Sequence, residues 1–393
     1  MEPIKASFFF FVFFLAVTLA GSAQDDAKLT TIQLITKYGY PAESHKVMTE
    51  DGYYLTMHRI PYGRKANAKT KRPVVFLQHC IMCSSAVFVL TGPGKGLGFI
   101  LADKGYDVWM GNARGTKYSK GHRNRHMRSA RYWEFSWHEM GVYDLPAEID
   151  YVISHTNQSK IFYTGHSMGT TMMFVLLSEK PEYNSKIRLF VALSPVAYMS
   201  HMRSLVFRIV YGPLASLMKT FGFQEFVPHN GIISVMSRIM CENKAMSSLI
   251  CTNAMFLISG YDSEQMNVTM LPVIVGHIPA GTSISSLVHY GQNMINGDFR
   301  KFDVGKTMNR RRYGSAVPPS YNISKITAPV AFYRGNNDWL SDPVDVQRLS
   351  DQIPNLVHNY NVPLPAFNHM DFLFAKDAYK LLYKNVLEIL KKF

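Results

Sequence analysis

Cysteine is scarce in this 393-residue chain, which contains four, at positions 80, 83, 241 and 251. Exported domains that rely on a disulfide framework carry cysteine far more densely. Such a framework is therefore excluded, and an apolar core must hold the fold. Hydrophobic residues make up 47% of the chain, which suffices for one large domain or for a domain with an insertion.

Long apolar runs are also scarce, and the one that stands out lies at the N-terminus. It extends from Phe8 to Ala20, after Lys5 and before the small residues Gly21 to Ala23, a pattern typical of a cleavable export signal. The alternative is a membrane anchor, but a spanning helix needs about 20 apolar residues. We therefore expect residues 1–23 to be removed and the mature protein to be soluble and secreted, with the lysosome lumen as the alternative location.

Export is consistent with three Asn-X-Ser/Thr triplets, which are acceptors for N-linked glycans. They begin at Asn157, Asn267 and Asn322. We predict that these three asparagines are glycosylated.

Acidic residues are too few to balance the basic ones: 28 Asp and Glu face 42 Lys and Arg, for a net charge of +14. A nucleic-acid partner is excluded because the chain lacks zinc-finger spacing and an RNA-binding aromatic signature, and because it is routed for export. The charge favours either attraction to anionic lipid surfaces or solubility alone, and both explanations stay open.

Short apolar segments alternate with longer helical patterns along much of the chain. This alternation predicts an α/β fold, with a mostly parallel central sheet and helices on both faces. The predicted strands are Pro73–Gln78, Tyr106–Met110, Lys160–Thr164, Leu189–Leu193 and Val330–Tyr333. The predicted helices are Ser136–His155, Thr170–Ser178 and Ala378–Lys392.

The alternation stops between Tyr198 and about Tyr321, where Met, Phe, Gly and Ser are frequent. We interpret residues 198–320 as a mainly helical cap inserted into a core formed by residues 24–197 and 321–393. An ordinary helical extension of the core is the alternative. The apolar character of the insertion suits an apolar substrate, although Met and Phe at helical spacing also occur in plain cores.

The segment Gly165-His166-Ser167-Met168-Gly169 matches the G-x-S-x-G pattern of a serine nucleophile. In that pattern the serine occupies a tight, strained turn between a strand and a helix, and the glycines allow neighbouring backbone to approach. The match lies directly after a predicted strand and before a predicted helix. We therefore predict that Ser167 is a catalytic nucleophile.

A serine nucleophile needs a histidine base and an acid that orients the base, in the chain order Ser, Asp or Glu, His. His369 lies in a loop-like segment before the last helix, where the base is expected. The other downstream histidines fall in the predicted cap or in a strand-like stretch; they are His277, His289 and His358.

Asp338 follows the predicted strand Val330–Tyr333 in a loop, so its carboxylate can reach the base. Asp342 is the rival, but the Asp-Pro pair at 342–343 is typical of a helix N-cap. We therefore predict Asp338 as the acid of the triad.

An oxyanion hole requires two backbone N–H donors. One donor is expected from Met168, which follows the nucleophile, and the other from the loop after the strand Pro73–Gln78, at His79-Cys80-Ile81. A metal site at His79 is excluded because no second ligand has a fitting spacing.

The chain resembles the acid lipase family, the animal gastric and lysosomal acid lipases and their insect relatives, within the α/β-hydrolase superfamily. The resemblance extends from about Leu34 to the C-terminus and rests on the Ser167 motif together with seven ordered blocks. These are Tyr38-Gly-Tyr-Pro41, Thr49-Glu-Asp-Gly-Tyr53, Arg59-Ile-Pro-Tyr-Gly63, Asp107-Val-Trp-Met-Gly-Asn-Ala-Arg-Gly115, Tyr143-Asp-Leu-Pro-Ala147, Asn336-Asn-Asp-Trp-Leu340 and Asn368-His-Met-Asp371.

The resemblance implies an α/β-hydrolase fold with a cap and lid, the Ser167, Asp338 and His369 triad, and no metal or other cofactor. It also implies oxyanion donors at Ile81 and Met168 and a disulfide between Cys241 and Cys251.

One position departs from the family, which has glycine where this chain has Cys80. A side chain there resists backbone angles that glycine allows. Cys80 then shifts the Ile81 N–H, or fits without strain, or forms a disulfide with Cys83. All three possibilities stay open.

These features together predict an exported serine lipase or esterase acting on neutral lipid esters at a lipid–water interface. Triacylglycerol is the first choice of substrate and sterol ester the second. The oligomeric state is left open. The main rival is a non-catalytic lipid-binding or storage protein built on a lipase scaffold, and a hydrolase of thioesters or peptides is a further rival.

Overall fold

The computed structural model describes residues 26–66, 70–226 and 253–393. The described strands are β1 Glu43–Met48, β2 Tyr53–Ile60, β3 Val74–Gln78, β4 Asp107–Met110, β5 Gly121–His122, β6 Ile161–His166, β7 Ile187–Leu193, β8 Glu225–Phe226, β9 Thr282–Ser283, β10 Val330–Arg334 and β11 Leu356–Asn361. The N-terminal segment 1–23, predicted to be an export signal, lies outside the described residues.

The described α-helices are α1 Thr31–Lys37, α2 Leu97–Asp103, α3 Trp137–Glu139, α4 Leu145–Thr156, α5 Met168–Glu179, α6 Leu205–Ile209, α7 Ala215–Thr220, α8 Leu271–His277, α9 Ile284–Asn296, α10 Lys306–Tyr313, α11 Pro343–Ser350, α12 Asp371–Phe374 and α13 Lys384–Leu390. Residues 253–259 are also helical. Wider π-type turns join α3 to α4 and α6 to α7, and another precedes α13.

The strands form one large sheet in the order β1-β2-β4-β3-β6-β7-β10-β11, with β5 paired to β2. From β4 to β11 every neighbouring pair is parallel, whereas β2 runs antiparallel to both β1 and β4. The predicted mostly parallel sheet is therefore confirmed. The antiparallel hairpin of β1 and β2 was not predicted.

Both faces of the sheet are covered, because alternate residues of each central strand enter different apolar clusters. In β3, Val74 and Phe76 join the cluster that contains α5, while Val75 and Leu77 join the cluster that contains α2 and the C-terminal helix. A parallel sheet buried on both faces is the arrangement that helical crossovers produce.

Two boundaries near the predicted nucleophile differ from expectation. Strand β6 continues to His166, beyond the predicted end at Thr164, and α5 begins at Met168 rather than Thr170. Ser167 is thus the single residue between a strand and a helix.

Residues 198–320, which lie between β7 and β10, were predicted to be a cap. Its described residues form helices α6 to α10, the helical turn 253–259 and the two-stranded β8–β9 ribbon, which is separate from the main sheet. In the described ranges, no helix is both long enough and apolar enough to cross a membrane.

Candidate active site

The turn at Ser167 has the geometry that the G-x-S-x-G pattern predicts. Ser167 has φ 54° and ψ −117°, a conformation that side chains rarely adopt. A Cβ on Gly165 would lie 2.7 Å from the backbone of Gly169, and one on Gly169 would overlap the carbonyl oxygen of Gln78. The glycines are required because the strand, the helix and β3 meet here at backbone contact distance.

The structure brings the three predicted triad residues together. Ser167 Oγ lies 2.9 Å from His369 Nε2, and His369 Nδ1 lies 2.9 and 3.0 Å from the two carboxylate oxygens of Asp338. All three side chains are buried. The contact to Asp338 favours the tautomer with a proton on Nδ1, which leaves Nε2 free to accept the Ser167 proton.

Asp338 is held as a carboxylate despite its burial. Its Oδ1 accepts hydrogen bonds from the backbone N–H groups of Leu340 (3.0 Å) and Ser341 (2.8 Å). Burial alone would raise the pKa of Asp338, but the charge of His369 and the hydrogen bonds to the carboxylate outweigh it, so the pKa is lowered. The predicted acid is therefore ionised beside His369.

Ser194 is a further polar residue at this site, and no sequence motif predicted it. Its hydroxyl donates to Asp338 Oδ2 at 2.6 Å and lies 2.8 Å from His369 Nδ1. Ser167 directly follows β6, Ser194 directly follows β7, and Asp338 lies in the loop after β10, so three adjacent parallel strands each lead into a residue of the site. The order of the strands in the sheet indicates that Ser194 lies near Ser167 and Asp338, because the carboxyl ends of parallel strands meet at one edge.

The rivals considered for the acid and the base have other partners. Asp342 is the N-cap of α11 and accepts from Val344 N at 2.9 Å, as its Asp-Pro context predicted. His277 and His289 contact backbone carbonyls, and His358 contacts the Asn385 side chain.

His166, directly before Ser167, contacts the backbone of His369. Its Nε2 donates to the carbonyl oxygen of His369 at 3.1 Å. Burial lowers the pKa of His166 to about 3, with the nearby His369 acting in the same direction. The imidazole is therefore neutral and fixes the backbone of the base loop without adding charge.

The loop after β3 forms a tight turn closed by a disulfide between Cys80 and Cys83. Cys83 N–H also donates to the Cys80 carbonyl at 3.2 Å, and His79 Nδ1 donates to the same oxygen at 2.7 Å. Met82, the third residue of the turn, has φ 58°, where glycine is usual. Of the three possibilities left open for Cys80, the structure has the disulfide.

The two predicted oxyanion donors, Met168 and Ile81, belong to the helix after Ser167 and to the loop after β3. Met168 is the first residue of α5, where a backbone N–H has no partner within the helix. Ile81 lies in the Cys80–Cys83 turn and lines the cavity beside Ser167. The predicted Cys241–Cys251 disulfide lies outside the described residues.

An apolar cavity of about 190 Å³ opens over Ser167 and His369. The lining includes these two polar side chains and apolar side chains from the predicted cap. The latter residues are Phe207, Met255, Ile258, Ile274, Val275 and Ile278. The hydroxyl of Ser167 therefore lies at the wall of an apolar cavity.

Comparisons with known proteins identify the family of the chain. Residues 31–92 match the partial alpha/beta-hydrolase lipase region, and residues 73–376 match the alpha/beta hydrolase fold. Lipase 3 of Drosophila melanogaster is 43% identical over 358 residues, covering 90% of this chain and 91% of the relative. The chain belongs to the acid lipase family.

Human gastric triacylglycerol lipase is 40% identical over 362 residues, covering 92% of this chain and 90% of its own. A soluble variant of monoglyceride lipase from Saccharomyces cerevisiae shares the fold, with a TM-score of 0.52 at 13% identity over 90% of this chain and 94% of that one. Membership of the acid lipase family makes the chain a carboxylic ester hydrolase.

Among the described residues of this acid lipase family member, one cluster away from Ser167 has ligand-type side chains. Glu43, His45 and His155 offer three ligand atoms within 4.8 Å of one another. Arg59 donates to Glu43 Oε2 at 2.8 Å and lies 3.4 Å from His155 Nε2. Because a guanidinium already neutralises the carboxylate, the cluster is explained as an ion pair rather than a metal site.

Proposed function

We propose that this chain is a serine lipase that hydrolyses neutral lipid esters through an acyl-enzyme intermediate. The observation that supports this most strongly is the continuous contact from Ser167 Oγ through His369 to Asp338, at 2.9 Å for each step. The contact lies at the wall of an apolar cavity. Ser167 can therefore pass its proton to His369 at the place where the carbonyl group of a bound ester would lie.

In the first half of the reaction, Ser167 Oγ attacks the ester carbonyl carbon and its proton moves to His369 Nε2. Asp338 stabilises the imidazolium that forms. The tetrahedral intermediate then expels the alcohol, which takes the proton from His369, and an acyl ester remains on Ser167.

In the second half, His369 removes a proton from water, which attacks the acyl ester. The new intermediate collapses to a free fatty acid, and the proton returns to Ser167. In both halves, the Ile81 and Met168 N–H groups stabilise the negative oxygen. Losing one such donor costs roughly 10²–10³ in rate.

Triacylglycerol is the proposed first substrate and sterol ester the second. The apolar cavity supports an acyl chain, and the relatives include proteins named gastric triacylglycerol lipase. Exposed apolar residues of α6, α7 and the following turn support contact with a lipid–water interface; they are Leu205, Ile209, Leu217, Phe221 and Phe223.

Export also remains part of the proposal, either to the exterior or to the lysosome lumen. The N-terminal pattern 1–23 and three acceptor triplets support it. Asn157 and Asn322 are exposed, and Asn267 is half-buried. The side chains of Asn267 and Asn322 accept hydrogen bonds from the Thr and Ser of their own triplets.

A substrate panel tests this function, with Ser167→Ala as the matched background. We expect the wild type to hydrolyse a short p-nitrophenyl ester and long-chain triacylglycerol, with turnover lost in Ser167→Ala. Cleavage of acyl thioester alone would contradict the lipase proposal. Lipid binding without any turnover dependent on Ser167 would favour the rival carrier.

A further inference from the structure

Ser194 occupies a position that neither the triad nor the oxyanion hole explains. It is fully buried, follows the last residue of β7 and precedes Pro195. Its N–H donates to the Tyr333 carbonyl of β10 at 2.8 Å, just as the Ser167 N–H donates to the Leu193 carbonyl of β7 at 3.1 Å. The sheet therefore fixes Ser194 in register between the nucleophile and the strand that leads to Asp338.

The Ser194 hydroxyl contacts both partners of the triad's charge pair. It donates its single proton to Asp338 Oδ2, so its lone pairs face His369 Nδ1 at 2.8 Å. The Nδ1–H of His369 therefore faces one hydroxyl oxygen as well as two carboxylate oxygens. The hydroxyl thus gives the imidazole a second contact beside the carboxylate.

The backbone at Ser194 is strained, with φ 53°. Glycine would adopt this angle at no steric cost, whereas a side chain resists it. A residue in such a conformation persists only where its surroundings compensate for it. The two hydrogen bonds of the hydroxyl are the contacts that a glycine would lose.

We propose that Ser194 is a positioning residue of the active site, which holds His369 in its productive orientation through a hydroxyl shared with Asp338. The inference rests on the proposed function of the triad. Ser194 acts through His369 and does not line the cavity. Its removal should therefore slow the chemical step without changing how the substrate binds.

Two variants separate the hydroxyl from the backbone. Ser194→Ala removes the hydroxyl and keeps the strain, whereas Ser194→Gly removes both. We expect kcat for a short p-nitrophenyl ester to fall about tenfold in each variant, because each loses one hydrogen bond to a charged group. KM should be unchanged. Ser194→Gly should melt at or above the wild-type temperature. Stability and turnover would then move in opposite directions.

The Nδ1 proton of His369 provides a direct spectroscopic readout. In the wild type it should give a low-field proton NMR resonance, and that resonance should shift in both Ser194 variants. Ser178→Ala is the matched control, because it also removes a buried hydroxyl but one that donates to the Val175 carbonyl within α5. The control should change neither the resonance nor kcat.

Wild-type kcat in both Ser194 variants would overturn the inference. A loss of kcat in only one of the two variants would also overturn it, because the effect would then come from the backbone. An unchanged Nδ1 proton resonance would overturn it as well. Turnover that survives in Ser167→Ala would instead contradict the proposed function itself. The two failures are therefore distinguishable in one set of proteins.

Discussion

Asp338 and Asp342 show how position decides the role of two identical side chains four residues apart. The carboxylate of Asp338 is paired with His369, whereas the carboxylate of Asp342 caps α11 and is paired with Arg203. The motif and the chain order were enough to predict Ser167, His369 and Asp338, because their chemistry restricts which residue types can serve. Ser194 could not be predicted this way, since a serine after a strand has no pattern of its own.

Replacing Asp338 by Asn should lower kcat about 10³- to 10⁴-fold with little effect on folding. The amide removes the negative charge that favours a proton on Nδ1, so His369 no longer presents a bare Nε2 to Ser167. Steady-state kinetics on a soluble ester measures this. Asp342→Asn is the matched control and should stay near wild type, because Asn caps helices as well as Asp does. Equal losses in both variants would contradict the assignment of the acid.

At the scale of elements, the interior parallel strands were predicted, the edge strand β11 was indicated only as the strand-like stretch around His358, and β1 was not predicted. The interior strands β3, β4 and β6 are fully buried and read as short apolar runs. Strands β1 and β11 lie at the sheet edges and alternate half-buried with exposed residues, and β1 contains Glu, His and Lys. Composition alone does not distinguish such a segment from a loop, because the sheet pairing that stabilises it lies far away in sequence.

The disulfide turn Cys80–Cys83 carries a prediction at this scale. In the double variant Cys80→Ser, Cys83→Ser, the turn that holds Ile81 loses its covalent closure, and Met82 can leave its strained angle. We expect kcat to fall several-fold, up to the roughly 10²–10³ that complete loss of one oxyanion donor costs.

Reduction provides the control for that variant. A phosphine reductant should lower the turnover of the wild type by a larger factor than that of the double variant, in which the predicted Cys241–Cys251 disulfide is the one left to reduce. Wild-type activity in the double variant would show that the hydrogen bonds of His79 and Cys83 to the Cys80 carbonyl hold the turn without the disulfide.

Gly260 joins the predicted cap to the catalytic loops. It has φ 109°, its carbonyl accepts from the Asn368 side chain at 2.9 Å, and a Cβ there would overlap the Asn337 carbonyl oxygen. Gly260→Ala should lower the free energy of unfolding by about 1–3 kcal/mol or more and reduce kcat, because it pushes apart the loops of Asp338 and His369.

Gly305→Ala is the matched control for the close contact. Gly305 also has a positive φ, 89°, but a Cβ there would meet nothing within 4 Å. Urea unfolding should therefore show a smaller loss of stability, from the backbone alone, and kinetics should show normal kcat. Similar effects of the two substitutions would contradict the role given to the contact between Gly260 and Asn337.

For the whole molecule, buried ionisable groups make stability depend on pH. Burial raises the pKa of Asp371 to about 9, and Asp262 and Asp338 act in the same direction, although the Asn368 N–H opposes them. The folded chain therefore keeps this proton to about pH 9, while the unfolded chain releases it near pH 4. Between these values the folded state binds more protons, so the contribution of Asp371 to stability falls as pH rises.

Asp371→Asn should remove that contribution. The amide oxygen can still accept from the Asn368 N–H, and the side chain no longer titrates. We expect the variant and the wild type to melt alike near pH 4 and the variant to gain relative stability steadily toward pH 9. Thermal unfolding across this range measures the difference, and a difference that stays constant with pH would contradict the protonated state of Asp371.

In the proposed mechanism, Ser167 is the one residue that forms the covalent intermediate. Labelling with a fluorophosphonate probe, followed by mass spectrometry of the digested protein, measures this directly. We predict a single phosphonylated site at Ser167, with loss of triacylglycerol hydrolysis in proportion to labelling and no label in Ser167→Ala. Label on another residue, or label that persists in Ser167→Ala, would contradict the assignment of Ser167 as the nucleophile.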